Sequence, residues 1–328
     1  MAVKKKQKKA PGKGALGLVA GSSRQKTPRK STYRIERREI PSGSGICMAD
    51  LYLPETSGRC PVIVMAHGFG ACRTFGLPPF AEHFASRGMA VLLFDYRNFG
   101  SSPGEPRNLI SPRRHLNDWR AVVDYALRLP QIDSSRVALW GSSFSGGHVV
   151  ETAASRDDIA AICIQVPFSD GLATILDLPK PFVLQAAAHG LQDLLSSASG
   201  MGPHQVPVFG KPDVFALLNT PECEKGYGAL VNAEEDWVNL APARIGLTLP
   251  LYRPIRKASK IHCPTFIVCA EKDSLVSKKT VDRLSRAIPG SMTMYLDCGH
   301  FDLYFKDLFI KNISAQTSFL EGVLKVKK

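Results

Sequence analysis

The chain has 328 residues, of which 44% are hydrophobic and 22% charged, which is ample for the core of one large domain or two ordinary ones. Its formal charge of +13 would suit a nucleic-acid or membrane partner, but ten of the 42 Lys and Arg residues lie within residues 1–30, which hold no acid. Residues 31–328 carry 32 basic against 29 acidic side chains, so the body is close to neutral. Any nucleic-acid binding is confined to weak contacts of the tail.

That tail, Met1 to about Lys30, is rich in Lys, Gly, Ser and Pro and lacks aromatic residues, the composition of a disordered segment. Gly14 to Gly21 is short and glycine-diluted for a signal-peptide core, and Lys and Pro fit a mitochondrial transit peptide poorly. Lys4–Lys9 offers nuclear targeting as a further alternative. No apolar run approaches transmembrane length, so no membrane partner is expected. The eight cysteines (Cys47, Cys60, Cys72, Cys163, Cys223, Cys263, Cys269 and Cys298) are scattered, with no Cys-x-x-Cys, and several sit beside Val and Ile. This pattern argues for buried thiols in a reducing, cytoplasmic setting and against a disulfide framework or zinc site.

From about Ser31 the elements alternate. Tyr33–Ile40 and Ile46–Leu53 read as a hairpin turning at Pro41–Gly45. Pro61–Ala66 is a continuous apolar run, as expected of a strand buried on both faces. Phe80–Arg87 is a short helix ended by Gly88, Met89–Phe94 a buried strand, and Arg113–Arg128 an amphipathic helix stopped before Pro130. Arg136–Trp140 is the next strand, Phe144–Ala154 a helix and Ile159–Val166 a strand. Beyond Pro167 the rhythm breaks into a Pro-, Gly- and Ala-rich stretch with helix-like patches at Leu172–Leu176, Val183–Leu195 and Val214–Leu218. It then returns with a strand over Pro264–Cys269, a helix over Lys278–Ala287, a strand over Met292–Leu296 and a helix over Asp307–Leu324. The expected architecture is a mostly parallel, doubly wound α/β sheet. Its core spans residues 31–167 and 262–328, with residues 168–261 inserted as a helical lid.

The chemistry concentrates at Val137-Ala-Leu-Trp-Gly-Ser-Ser-Phe-Ser-Gly-Gly147, an apolar strand feeding a Gly-x-Ser-x-Ser turn that opens a helix. A sharp strand-to-helix turn of this kind lifts a serine hydroxyl above a parallel sheet. It requires small residues two positions either side of Ser143, here Gly141 and Ser145. Ser143 itself should be strained, and Ser142 and Ser145 should point elsewhere. A nucleophilic serine needs a base and an acid that orients the base, and the strand order supplies Asp273 and His300 just past later strands. Glu271, Asp297 and Asp170 are rivals for the acid, Asp170 otherwise capping a lid helix. His67-Gly-Phe-Gly70 follows a buried strand, so the Phe69 N–H pairs with the Phe144 N–H as an oxyanion hole. Asp95–Ser101 is expected to stitch loops together, and His115 and His148 to be helix-face residues. Cys298 is expected to be a buried small side chain.

With these residues in this order, the chain resembles the α/β-hydrolase superfamily from about Tyr33 to the C-terminus, the lid excepted. Val64-Met-Ala-His-Gly-Phe-Gly70, Phe94-Asp-Tyr-Arg-Asn-Phe-Gly-Ser-Ser102 and Trp140-Gly-Ser-Ser-Phe-Ser-Gly-Gly-His148 are similar to motifs of dienelactone hydrolases, X-prolyl-peptidase-type hydrolases and fungal polyketide transferases. The resemblance implies a cofactor-free Ser-His-Asp acyl enzyme acting on a small-molecule ester or thioester. Water as acceptor makes a hydrolase, and an alcohol an acyltransferase. A catalytically silent binding protein on the same fold is the third reading. Phe182, Leu184, Phe209, Phe215 and Trp237 of the lid are expected to line an acyl pocket.

Overall fold

The computed structural model describes residues 33–233 and 236–326, so the basic tail expected up to Lys30 lies outside the described residues. Strands β1 (Tyr33–Ser42) and β2 (Gly45–Pro54) form the expected antiparallel hairpin, turning through Gly43 at a φ of +56°. There follow β3 (Cys60–Ala66), α1 (Pro78–Ser86), β4 (Ala90–Phe94), α2 (Pro112–Leu127), β5 (Ile132–Ser142), α3 (Phe144–Ala153) and β6 (Ala161–Gln165). An insertion carries α4 (Gly171–Asp177), α5 (Lys180–Ala198), β7 (Gln205–Val206), α6 (Cys223–Gly228), β8 (Ala241–Pro242) and α7 (Ile245–Thr248). The chain closes with β9 (Thr265–Ala270), α8 (Lys278–Ala287), β10 (Met292–Leu296) and α9 (Lys306–Val323).

The main sheet runs β1-β2-β4-β3-β5-β6-β9-β10. Only the β1–β2 and β2–β4 pairings are antiparallel; the others are parallel. The central strands are apolar throughout because both faces are covered. In β3, Val62, Val64 and Ala66 enter one hydrophobic cluster and Ile63 and Met65 the other. β5 divides the same way, with Val137 and Leu139 against Ala138 and Trp140. Helices α2, α3 and α8 cover the first face through Trp119, Val149 and Leu284, and α1 and α9 the second through Phe80 and Leu320. Trp119 and Trp140 are fully buried; burying one indole stabilises the fold by roughly 4–6 kcal/mol before entropy is counted. Because β3, β4, β5, β6, β9 and β10 run parallel, their C-terminal ends share one sheet edge, where ligands of open α/β sheets bind.

The insertion departs from its sequence reading in two places. The patches at Leu172–Leu176 and Val183–Leu195 lie within α4 and α5, but Val214–Leu218 is not helical. Leu217 and Leu218 instead donate backbone N–H groups to the Pro207 and Val208 carbonyls, 2.9 Å each, so nonlocal pairing overrides a weak local preference. Conversely, the short helix α6 forms over Cys-Glu-Lys-Gly-Tyr-Gly, a stretch whose two glycines gave no helical signal.

Candidate active site

Ser143 sits between β5 and α3 with φ 56° and ψ −122°, far outside the regions an L-residue favours. The backbone around it holds this geometry. Its N–H donates to Gln165 O, and its carbonyl accepts from Gly146 and Phe168, all at 2.9 Å. A Cβ at Gly141 would stand 2.7 Å from the backbone carbon and oxygen of Ser145, which is why the strand residue must be glycine. Ser145, standing where a second glycine is usual, is fully buried and its hydroxyl accepts from Tyr96 at 3.1 Å. Ser142 Oγ lies 2.5 Å from the Tyr304 hydroxyl and accepts from Gln165 Nε2 at 3.1 Å. Both neighbours are thus committed inward, while Ser143 is half-exposed at a cavity. Gly141→Ala is expected to destabilise the protein by about 1–3 kcal/mol by forcing strand and helix apart. A thermal melt checks it, and an unchanged midpoint would contradict the crowding.

His300 lines the same cavity. Its Nδ1 lies 2.6 Å from Asp273 Oδ2, while Asp273 Oδ1 accepts the Leu275 and Val276 N–H groups at 2.7 and 2.8 Å. Asp273 follows β9 and His300 follows β10, so the strand edge alone brings them together. Burial disfavours the charged imidazole, but the Asp273 and Glu222 carboxylates outweigh it and raise the His300 pKa above its ordinary value. Among the described residues no hydrogen bond joins the Ser143 hydroxyl to His300, although both line the cavity. Two of the three rival acids are engaged elsewhere, and Glu271 is exposed. Asp170 caps α4 through the Ala173 N–H and pairs with Arg253 at 2.7 Å, and Asp297 pairs with Lys272 at 2.8 Å.

Phe69 and Phe144 also line the cavity, their rings 5.2 Å apart edge to face. Neither backbone N–H has a backbone acceptor among the described residues, and that of Phe144 belongs to the unsatisfied first turn of α3. Gly68 abuts the serine, since a Cβ there would lie 3.2 Å from Ser143 Cβ. The insertion grips this loop by its carbonyls: Tyr227 Oη donates to Phe69 O at 2.9 Å and Trp237 Nε1 to Gly70 O at 3.1 Å. His67 is buried and neutral, burial pulling its pKa down to about 3, with Nδ1 3.1 Å from Gly68 O. Arg73 ties the neighbouring loops together, bonding Asp95, Asp50 and Ser101 with its guanidinium.

One expectation about the site needs correction. Of the five residues expected to line the pocket, only Phe182 does so. Leu184 is 71% exposed on the outer face of α5, while Phe215 packs on Phe182 and His189. Phe209 and Trp237 stack with Tyr227 behind the Phe69 loop. The lining is instead Phe75, Phe168, Ile175, Leu217, Leu230 and Leu249, among other apolar side chains. Which face of an inserted helix turns inward depends on its partners, so composition alone misplaced them. His115 and His148 lie on α2 and α3, as expected, on their buried faces, linked at 3.2 Å, with His148 Nδ1 2.6 Å from Tyr252 Oη. The residues missed altogether are Glu222 and Tyr227 of the insertion, together with Tyr304. Cys298 is buried, as expected.

Comparison with known proteins agrees with this architecture. The model of the alpha/beta hydrolase family matches residues 63–308. Quorum-quenching protein AidA of Acinetobacter baumannii is 38% identical over 281 residues, covering 86% of this chain and 92% of the relative. Thiohydrolase aneE of Aspergillus aculeatus is 29% identical over 290 residues, covering 84% and 89%. The crystal structure of the alpha/beta hydrolase GrgF from Penicillium sp. superposes with a TM-score of 0.77 at 22% identity, over 89% of this chain and 99% of that one. With a mostly parallel eight-stranded sheet and a family match across most of its length, the chain belongs to the alpha/beta hydrolase family.

Proposed function

We propose that the protein is a serine hydrolase cleaving a carboxylic ester or thioester with an uncharged, apolar acyl group. The observation that carries this reading is the Asp273–His300 bond at the cavity where Ser143 stands strained and half-exposed. Ser143 Oγ attacks the carbonyl carbon while His300 Nε2 takes its proton, and Asp273 holds the Nδ1–H. The Phe69 and Phe144 N–H groups bind the oxyanion, aided by the positive end of α3. Protonated His300 then gives its proton to the departing alkoxide or thiolate, leaving an acyl-serine. Water, deprotonated by His300, releases the carboxylic acid and restores Ser143. An alcohol in place of that water gives acyl transfer through the same intermediate. No cofactor enters any step.

Residues 168–261 act as the lid over the core of residues 31–167 and 262–328. The cavity lining contains no Lys, Arg, Asp or Glu among the described residues, which supports an uncharged acyl group. The name of the Aspergillus relative, a thiohydrolase, supports thioesters beside oxygen esters. Among the described residues no helix is long and apolar enough to cross a membrane. Seven of the eight cysteines are buried, which supports a reducing compartment, the cytoplasm.

A panel of acyl nitrophenyl esters and thioesters of graded length tests the substrate class. Neutral acyl chains should be turned over, and chains ending in a carboxylate should lose at least tenfold in kcat/KM. A preference for the charged chains would overturn the assignment, and product analysis with competing alcohols tells water from alcohol as acceptor. The pH profile gives a separate check. Only neutral His300 can accept the serine proton, so kcat/KM should fall as pH drops through its pKa. That limb is expected above the ordinary histidine value of 6.5, because Asp273 and Glu222 outweigh burial. A limb below that value would show the carboxylates are not acting on the base.

A further inference from the structure

The segment Thr220–Tyr227, which runs into α6, touches the acid, base and oxyanion loops of the site. Glu222 Oε1 accepts the Ser274 N–H at 2.7 Å and also takes the Ser274 hydroxyl, next to Asp273 in the acid loop. Its Oε2 accepts the backbone N–H of His300 at 2.9 Å. Thr220 Oγ1 adds a 2.7 Å bond to the Ser274 hydroxyl. Five residues on from Glu222, Tyr227 Oη holds the Phe69 carbonyl of the oxyanion loop. Two glycines permit the close approach. A Cβ at Gly299 would stand 2.5 Å from Glu222 Oε2, and one at Gly226 would stand 2.4 Å from the Phe301 ring.

We propose that Glu222 is a positioning residue, whose carboxylate locks the Asp273 and His300 loops into one frame and sets a second negative charge beside the imidazole. This rests on the Ser143–His300–Asp273 reading above. Both carboxylate oxygens are used as acceptors of backbone N–H groups, a demand an amide cannot meet because its NH2 would face a donor. The charge counts because His300 is buried, where a nearby carboxylate is poorly screened. The other ionisable groups around the base are few. Asp302 accepts the Gly299 N–H at 2.8 Å, Asp297 is paired with Lys272 at the rim, and Tyr227, Tyr304, Cys223 and Cys298 are neutral, all with pKa values raised by burial.

The test compares full-length wild type, Glu222→Gln and Glu222→Asp on one neutral acyl ester, over the full pH profile and with a thermal melt. Glu222→Gln should lose about tenfold to a hundredfold in kcat with KM within about twofold, as expected when a loop holding a catalytic group shifts. Its acid limb should move to lower pH, since one of the charges raising the His300 pKa is gone. Glu222→Asp keeps the charge but not the reach, so its rate should fall while the limb stays with wild type. A rate loss in Glu222→Gln with an unmoved limb would reduce the residue to a structural support and overturn the proposal. Wild-type rate and limb in both variants would do the same. If Glu222→Gln does not fold, Glu222→Asp decides: a slower enzyme with the wild-type limb supports the proposal and an unaltered rate overturns it. Ser143→Ala in parallel separates the two failures. Should it stay active, the serine reading falls; should it be inactive while both Glu222 variants match wild type, only the present inference falls.

Discussion

Ser143→Ala is expected to lower kcat on a short acyl nitrophenyl ester by about 10^6-fold and to abolish labelling by a fluorophosphonate. The hydroxyl is the only group in the proposed chemistry that forms a covalent bond to substrate, so no neighbour can replace it. Ser142 and Ser145 lie beside it in sequence, but their hydroxyls are tied to Tyr304, Gln165 and Tyr96 inside the protein. Ser142→Ala and Ser145→Ala should therefore keep the label. The Ser143 backbone is held by its bonds to Gln165, Gly146 and Phe168, none of which involves Oγ. Alanine should consequently leave the melting temperature within a few degrees of wild type, so that lost activity reports chemistry and not unfolding. Residual turnover above the uncatalysed rate should persist, because the oxyanion donors remain. Labelling that survives the change would remove the serine from the mechanism. An unlabelled, inactive wild-type protein would favour the silent binding reading.

Much of this site was legible because its constraints are local or topological. The turn at Ser143 demands glycine at 141 for a reason that lies within five residues, the approach of the Ser145 backbone. The buried strands announce themselves by apolar runs covered on both faces, and parallel strands deliver the loops after β9 and β10 to the same edge as Ser143. That is why Asp273 and His300, 27 positions apart, could be paired from chain order. The insertion obeys no such rule. Val214–Leu218 has a helical pattern, but its backbone bonds to Pro207 and Val208, outside any local window, override it. Leu184 and Phe182 lie two apart on α5 yet face opposite environments, a choice made by the packing of the whole helix. Glu222 reaches positions 52 and 78 residues further along, and Tyr227 one 158 residues back, so no window of sequence contains their roles.

Asp273→Asn should be the second most damaging change, costing about 10^4-fold in kcat while leaving substrate affinity and fold nearly intact. The carboxylate receives hydrogen bonds on both oxygens: two backbone N–H groups on Oδ1 and the imidazole Nδ1 on Oδ2. An asparagine can satisfy only one side. If its carbonyl keeps the Leu275 and Val276 amides, its NH2 faces Nδ1, and His300 must offer a lone pair there. The ring proton then moves to Nε2, and the base has no lone pair for the serine proton. If the amide flips, the NH2 group is pressed against two backbone donors and the loop must shift. The first arrangement costs less, so the variant should fold and remain labelled only slowly. It should also lose the rise in the His300 pKa that the carboxylate supplies, moving whatever acid limb survives to lower pH. Asp297→Asn, whose target is a rim carboxylate paired with Lys272, should stay within about twofold of wild type. Retention of more than about a tenth of wild-type kcat by Asp273→Asn would mean that another carboxylate orients the base. Glu222, which already touches the His300 loop through its backbone, would then be the first to examine.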